Sequence, residues 1–207
     1  MDLSMEKARE IPSGKQKILN AAKKLFAQKG FAGTTTRNIA QYANVNEALI
    51  YRYYPTKKDL YLAIIRSKID QLNVLKENLE NPEQNREGVP GFLKQIATQL
   101  FSSVKEDSDF LRLLYFSALE HHELSKMFCE CFVVELRKKL ENYVSMLMDR
   151  NIFKALNPYL VSVAFIGIIS HYLVANTLFE LETPQISETE VIDNFIEIFL
   201  NGACKKE

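Results

Sequence analysis

Between Thr36 and Pro55 (TRNIAQYANVNEALIYRYYP) the chain has room for two very short helical patterns, Thr36–Ala43 and Asn46–Tyr53, joined only by Asn44-Val45. Helices of about two turns are unstable alone, so both must pack on neighbours. Asn44 is the non-glycine residue best suited to a left-handed turn. Ile39, Ala43, Val45, Ile50 and Tyr53 are spaced to form one buried seam, and Ala40 is small where the second helix crosses closest. Pro55 then stops the second helix. A hairpin of helices this tight is a helix-turn-helix. It leaves the outer face of its second helix exposed, at a width that a duplex major groove accepts.

The charge pattern agrees. The 207 residues carry 26 basic and 26 acidic side chains, and such neutrality argues against nucleic acid when taken whole. Residues 1–58 hold eleven Lys/Arg and four Asp/Glu, a net +7, which leaves −7 on the remainder. One end suits phosphate and the other repels it. For any one of these lysines, an ordinary solvated helix face is the alternative.

Helical periodicity runs through almost the whole chain, and no alternating strand pattern stands out, so the fold class is all-α with about nine helices. Ser13 precedes a run with Ile18, Leu19, Ala22, Leu25 and Phe26 on one face, ended by Gly30 as a left-handed cap. Thr35 or Thr34 can cap the next helix. Thr56 with Asp59 resembles a capping box opening a longer helix with the seam Leu62, Ile65, Ile69, Leu72 and Leu79. The first domain, residues 12–72, therefore ends inside a continuous helix. Asn81–Gly91 (NPEQNREGVPG) has the composition of a loop. The second domain, residues 73–207, continues with helices near Phe92–Lys105, Ser108–Glu120 and Leu124–Asp149. An apolar helix runs from Pro158 to Leu181, and a last helix opens at Ser187 and closes at Asn201-Gly202.

The Pro158–Leu181 segment has the length of a membrane span. However, Ser162, Ser170, His171, Asn176 and Thr177 are spread around it and no basic anchors flank it, so a span is not expected. Apolar on all sides and followed by an amphipathic helix, it suits a two-helix contribution to a symmetric four-helix dimer interface. We place that interface at Phe165 and Gly167 of the first helix and at Val191, Phe195 and Phe199 of the second, whose stripe also includes Ile198. The alternative is that both helices close the monomer's own core. Cys129, Cys131 and Cys204 form neither a disulfide framework nor a zinc pattern, and no secretory signal is visible, so a reducing cytoplasm is the expected setting.

Gly30-Phe31-x-x-Thr34-Thr35-x-Arg37-x-Ile39-Ala40, then Val45, Ile50-Tyr51-x-Tyr53-Tyr54 and Lys57-x-x-Leu60, resembles the N-terminal domain of the TetR family of bacterial transcriptional regulators. The likeness covers about residues 12–72. It implies a homodimer on palindromic double-stranded operator DNA, most often as a repressor, released by a small-molecule effector held in the C-terminal domain. It implies phosphate contacts at Thr35, Thr36, Tyr51 and Lys57, and a base or phosphate contact at Arg37 and Arg52. Asn46, Glu47 and Ala48, which open the reading helix, would then face the groove floor. Glu47 departs from the family's usual lysine or neutral residue, and Asn44 from its commoner turn glycine.

For the effector, the sequence offers an aromatic-rich domain in which Tyr115, Phe116, Phe132, His171, Tyr172 and Asn176 are candidate lining residues of a mostly apolar cavity, so an apolar or aromatic molecule is expected. Glu120-His121-His122-Glu123 raises metal sensing as an alternative. Adjacent helical residues diverge by about 100°, so no metal site is expected there, and a solvated junction suits the cluster better. No phosphate loop, nucleophile elbow or paired-histidine motif is present, so neither an enzyme nor a cofactor is expected. A helical adaptor that does not bind DNA would leave the basic N-terminal third unexplained.

Overall fold

The computed structural model describes residues 13–77, 88–181 and 184–204. Those residues form α1 (Gly14–Lys29), α2 (Thr36–Ala43), α3 (Glu47–Tyr53), α4 (Lys57–Glu77), α5 (Gly88–Glu106), α6 (Ser108–Leu119), α7 (Glu123–Phe128), α8 (Val134–Asp149), α9 (Pro158–Leu178) and α10 (Glu188–Ala203). A π-helical turn, Cys129–Val133, joins α7 to α8 in one rod, so the described residues make nine continuous helices. Their one extended pairing is a single bridge between Phe153 and Cys204.

Local chemistry accounts for the helix ends. Ser13 caps α1, and the backbone of Gly30 closes it at φ 70°. Thr35, not Thr34, caps α2, in a reciprocal box with Asn38. Thr34 is instead fully buried, and its hydroxyl donates to the carbonyls of Leu25 and Gly30. Asn44 adopts the left-handed conformation expected of the turn, at φ 52° and ψ 52°. Thr56 and Asp59 exchange the hydrogen bonds of a capping box at the start of α4. Asn157 and Ser187 cap α9 and α10.

The helices converge on a continuous apolar core. Its N-terminal part is built on Ile18, Phe26, Ile39, Ile50, Leu60, Tyr61 and Ile65, all sealed from solvent. Burial of each such side chain contributes about 1.5–3 kcal/mol. The seam between α2 and α3 departs from expectation at one residue: Tyr53 is exposed and Tyr54 is buried. The chain leaves α3 in an extended conformation at Tyr54, φ −137° and ψ 102°, and that swings the second tyrosine inward.

Two further expectations need correction, and a third is not tested. The loop assigned to Asn81–Gly91 is already helical from Gly88, because Pro90 falls in the first turn of α5, where it costs no hydrogen bond. Gly91 is buried there. Leu79, assigned to the α4 seam, lies outside the described residues. The proposed interface residues Phe165, Val191 and Phe199 are buried inside the chain, with the Phe165 and Phe199 rings 5.1 Å apart. Phe195 is half-buried edge-on against Tyr172, and Ile198 is the member of the stripe that faces solvent. The period of α10 is right, but the face that the sequence shows as apolar is the one the monomer uses.

Thr34→Val keeps the shape and removes the buried hydroxyl. Two carbonyls then lose a donor, which should cost about 1–3 kcal/mol in chemical denaturation; an unchanged midpoint would show that the hydroxyl is not needed to close the α1–α2 loop.

Candidate DNA-binding face and the joint behind it

On the outer surface of the helix-turn-helix, Thr35, Arg37, Asn46, Ala48, Tyr51 and Arg52 are all exposed, with Thr36 and Glu47 half-buried beside them. Thr35 caps α2 at this surface, and the N-terminal end of a helix favours an anion such as phosphate. Asn46 accepts from the Ala48 amide and so fixes the entry to α3.

Glu47 has a partner that the sequence did not announce. Its carboxylate accepts from the Thr36 hydroxyl at 2.7 Å, and the Tyr51 hydroxyl lies 3.0 Å from the same Thr36 oxygen. Glu47, Thr36 and Tyr51 thus form one hydrogen-bonded cluster bridging the two short helices. The Glu47 carboxylate thus holds the Thr36 hydroxyl directly and the Tyr51 hydroxyl through it.

Lys57 is likewise occupied. Its ammonium donates to the carbonyls of Phe31 at 2.7 Å and Thr34 at 2.8 Å, and sits 4.1 Å from the centre of the Phe31 ring. Burial pushes its pKa down, partly offset by the Glu120 carboxylate. Of its three donors, two brace the α1–α2 loop.

The same loop is gripped from the second domain. The Glu120 carboxylate, at the C-terminal end of α6, accepts from the Phe31 amide at 3.0 Å and the Ala32 amide at 3.3 Å. Gly30 makes room for it. A Cβ there would lie 2.4 Å from a Glu120 oxygen, at a φ that side chains rarely adopt. His122 caps α7 and lays its ring 4.6 Å from Phe31 and 5.3 Å from Tyr61. Glu123 pairs with Lys58. The Glu-His-His-Glu cluster is therefore a joint between the two domains, with its carboxylates turned to the N-terminal domain rather than towards one another. Among the described residues no group of three metal-ligating side chains converges. At the other end of α6, its cap Asp107 pairs with Lys23 of α1 at 2.8 Å. Tyr61, buried beneath the joint, donates to the Leu113 carbonyl of α6, and burial pushes its phenol up to about 12.

The family profile described as bacterial regulatory proteins of the tetR family matches residues 18–64. That segment is a TetR-family DNA-binding domain. It is 22% identical over 187 residues to the uncharacterised HTH-type transcriptional regulator YvkB of Bacillus subtilis, covering 90% of this chain and 95% of that one. Over 59 residues it is 37% identical to IcaR of Staphylococcus aureus, a negative transcriptional regulator of the biofilm operon icaADBC, covering 28% of this chain and 32% of that one. Among solved structures, the flavonoid-responsive regulator FrrA superposes with a TM-score of 0.64 at 19% identity, over 94% of this chain and 98% of that one. At that identity the last comparison shows the fold alone.

Behind the joint lies a cavity of about 250 Å³, bounded by α4, α5, α6, the π-helical turn and α9. Of the residues expected to line it, Tyr115 and Phe132 do. Phe116 and His171 are exposed, Tyr172 stacks on Phe101, and Asn176 donates to the Tyr172 carbonyl of its own helix. Sequence reasoning missed Lys68, Ser103, Asp107 and Ser170. Lys68 did carry a signal, because it interrupts the apolar phase of α4 between Ile64 and Leu72.

Lys57→Met separates bracing from phosphate contact. Loss of the brace should lower the melting temperature and weaken DNA binding while leaving the salt slope of log K almost unchanged. A slope shallower by about 0.9 with unaltered stability would mark Lys57 as a phosphate contact instead.

Proposed function

We propose that the protein is a ligand-responsive repressor that binds a palindromic operator as a homodimer and releases it when an apolar small molecule fills the cavity. The observation that carries this is the position of α6. One face lies on α1 of the DNA-binding domain and its two ends are tied to that domain, while Phe110, Leu111, Leu114 and Tyr115 on another face line the cavity. A molecule that binds one orientation of α6 better than another shifts the reading head with it, and by linkage operator DNA shifts the affinity for that molecule equally. FrrA's responsiveness to a flavonoid and IcaR's negative regulation fit this mode.

Dimerisation is supported by α9. It is long and apolar enough to cross a membrane, yet only 22% of its most apolar stretch is buried inside the chain. Leu160 is 61% exposed, Val163 also faces out, and Ile198 of α10 is 63% exposed, so the two helices leave an apolar face for a second copy. Ala164 and Gly167 on the same side allow close approach. Two reading heads about 34–36 Å apart, or a multiple of that, meet successive major grooves. The metal-sensing alternative has lost its residues: Glu120, His122 and Glu123 are already engaged in the joint.

Fluorescence-anisotropy titration of a duplex taken from directly upstream of the protein's own gene, against scrambled duplex at several salt concentrations, tests the DNA reading. Sequence-dependent binding with a steep salt slope is expected; equally weak binding of both, by protein shown free of bound ligand by mass spectrometry, would contradict autoregulation at that site. Val163→Glu and Ile198→Glu should each yield a monomer in sedimentation that no longer binds specifically, whereas a dimer of normal mass in both would remove this face from the interface.

A further inference from the structure

The cavity is almost wholly hydrocarbon, but one end is not. Lys68 projects there from α4 and is only 7% exposed. Its partners are poor for so deeply placed an ammonium. The Ser103 carbonyl lies 3.4 Å away and the nearer Asp107 oxygen 3.8 Å, and the charge rests 5.6 Å from the centre of the Phe110 ring. Asp107 is committed elsewhere, to Lys23 at 2.8 Å and to the Phe110 amide that it caps. Two ammonium groups therefore share one half-buried carboxylate. Glu106 is also near but exposed, so water screens it. Burial lowers the Lys68 pKa, and the neighbouring carboxylates oppose that shift. A buried charge with incomplete pairing is costly, and an anion supplied from the cavity side would complete it.

We propose that the effector is a small apolar acid, its carboxylate or equivalent anionic group held by Lys68 and its hydrocarbon body lying between α5, α6 and α9. This rests on the reading of the cavity as the effector site and names the chemical class that site takes. Ser103, Ser170 and Tyr115 supply the remaining polar groups of the lining. A neutral ligand leaves Lys68 as it stands, and a cationic one meets an excess of positive charge. The anion also offers Lys68 an alternative to Asp107, so it acts on the tie between α4 and the N-terminal end of α6.

Isothermal titration calorimetry of the full chain with matched probes tests this: octanoate, 1-octanol and octylamine, and 2-naphthoate, 2-naphthol and 2-naphthylmethylamine. In at least one series the acid should bind roughly tenfold or more tightly than the alcohol, the range expected of a charged hydrogen bond, and the amine weakest. Lys68→Met and Lys68→Gln, checked by circular dichroism and melting, should bind acid and alcohol alike. Alcohol or amine binding as tightly as the acid in wild-type protein would overturn the assignment while leaving the apolar cavity standing. A preference for acid that survives in both variants would overturn the role of Lys68. Failure of every probe would remove the cavity reading, and this inference with it. The wild-type series alone decides the charge preference, whether or not a variant is stable.

Discussion

Two backbone amides and one carboxylate hold this molecule's halves in register. Glu120 takes the Phe31 and Ala32 amides from the far side of a domain boundary, in a space that only a glycine at position 30 leaves open. Lys57 takes two carbonyls of the same short loop from below, and the Phe26, Phe31, Tyr61 and His122 rings fill the space between. Charge-assisted hydrogen bonds of this kind are among the stronger polar contacts a protein makes. The loop they fix leads straight into α2, so the attitude of the reading head follows from them. With Asp107 and Lys23 closing the other end, α6 is a strut that cannot turn without disturbing α1. The cavity lies against that strut.

Much of this was legible in the residues because it follows from local rules. The left-handed Asn44, the caps at Ser13, Thr35, Thr56, Asn157 and Ser187, and the spacing of the two short helices are dictated within a few residues, and the structure has them. What local rules could not supply was partner identity. Glu120 and His122 read as a polar junction, and nothing within their own segment says that the partner is a loop some ninety residues earlier. Glu47 reads only as an acid at the start of the reading helix, because its bond to Thr36 depends on how α2 and α3 cross. In α10 the apolar stripe is legible in the residues, but sequence cannot separate burial in one's own core from burial against a second copy. The exposed Ile198 and Leu160 make that distinction only once the helices are packed. Lys68 is the instructive omission: a lysine in the apolar phase of a helix is visible in sequence, and it marks the one charged end of the cavity.

The charge division has a structural counterpart in the two halves. The basic third presents hydroxyls, amides and arginines outward from small rigid helices. The acidic remainder spends its carboxylates on ties between helices and to the basic domain, as Asp107, Glu120 and Glu123 do. α4 runs unbroken from Lys57 to Glu77, through the boundary expected near residue 72.

The central claim is that the Phe31 and Ala32 amides of the α1–α2 loop are held by Glu120 of the second domain, while Lys57 of its own domain holds the carbonyls. Amide hydrogen exchange at Phe31 and Ala32 tests it most directly, comparing wild-type protein with Glu120→Ala. The account predicts protection at both amides comparable to α6, and its selective loss in the variant while α8 and α9 keep theirs. Rapid exchange at both positions in wild-type protein would contradict it.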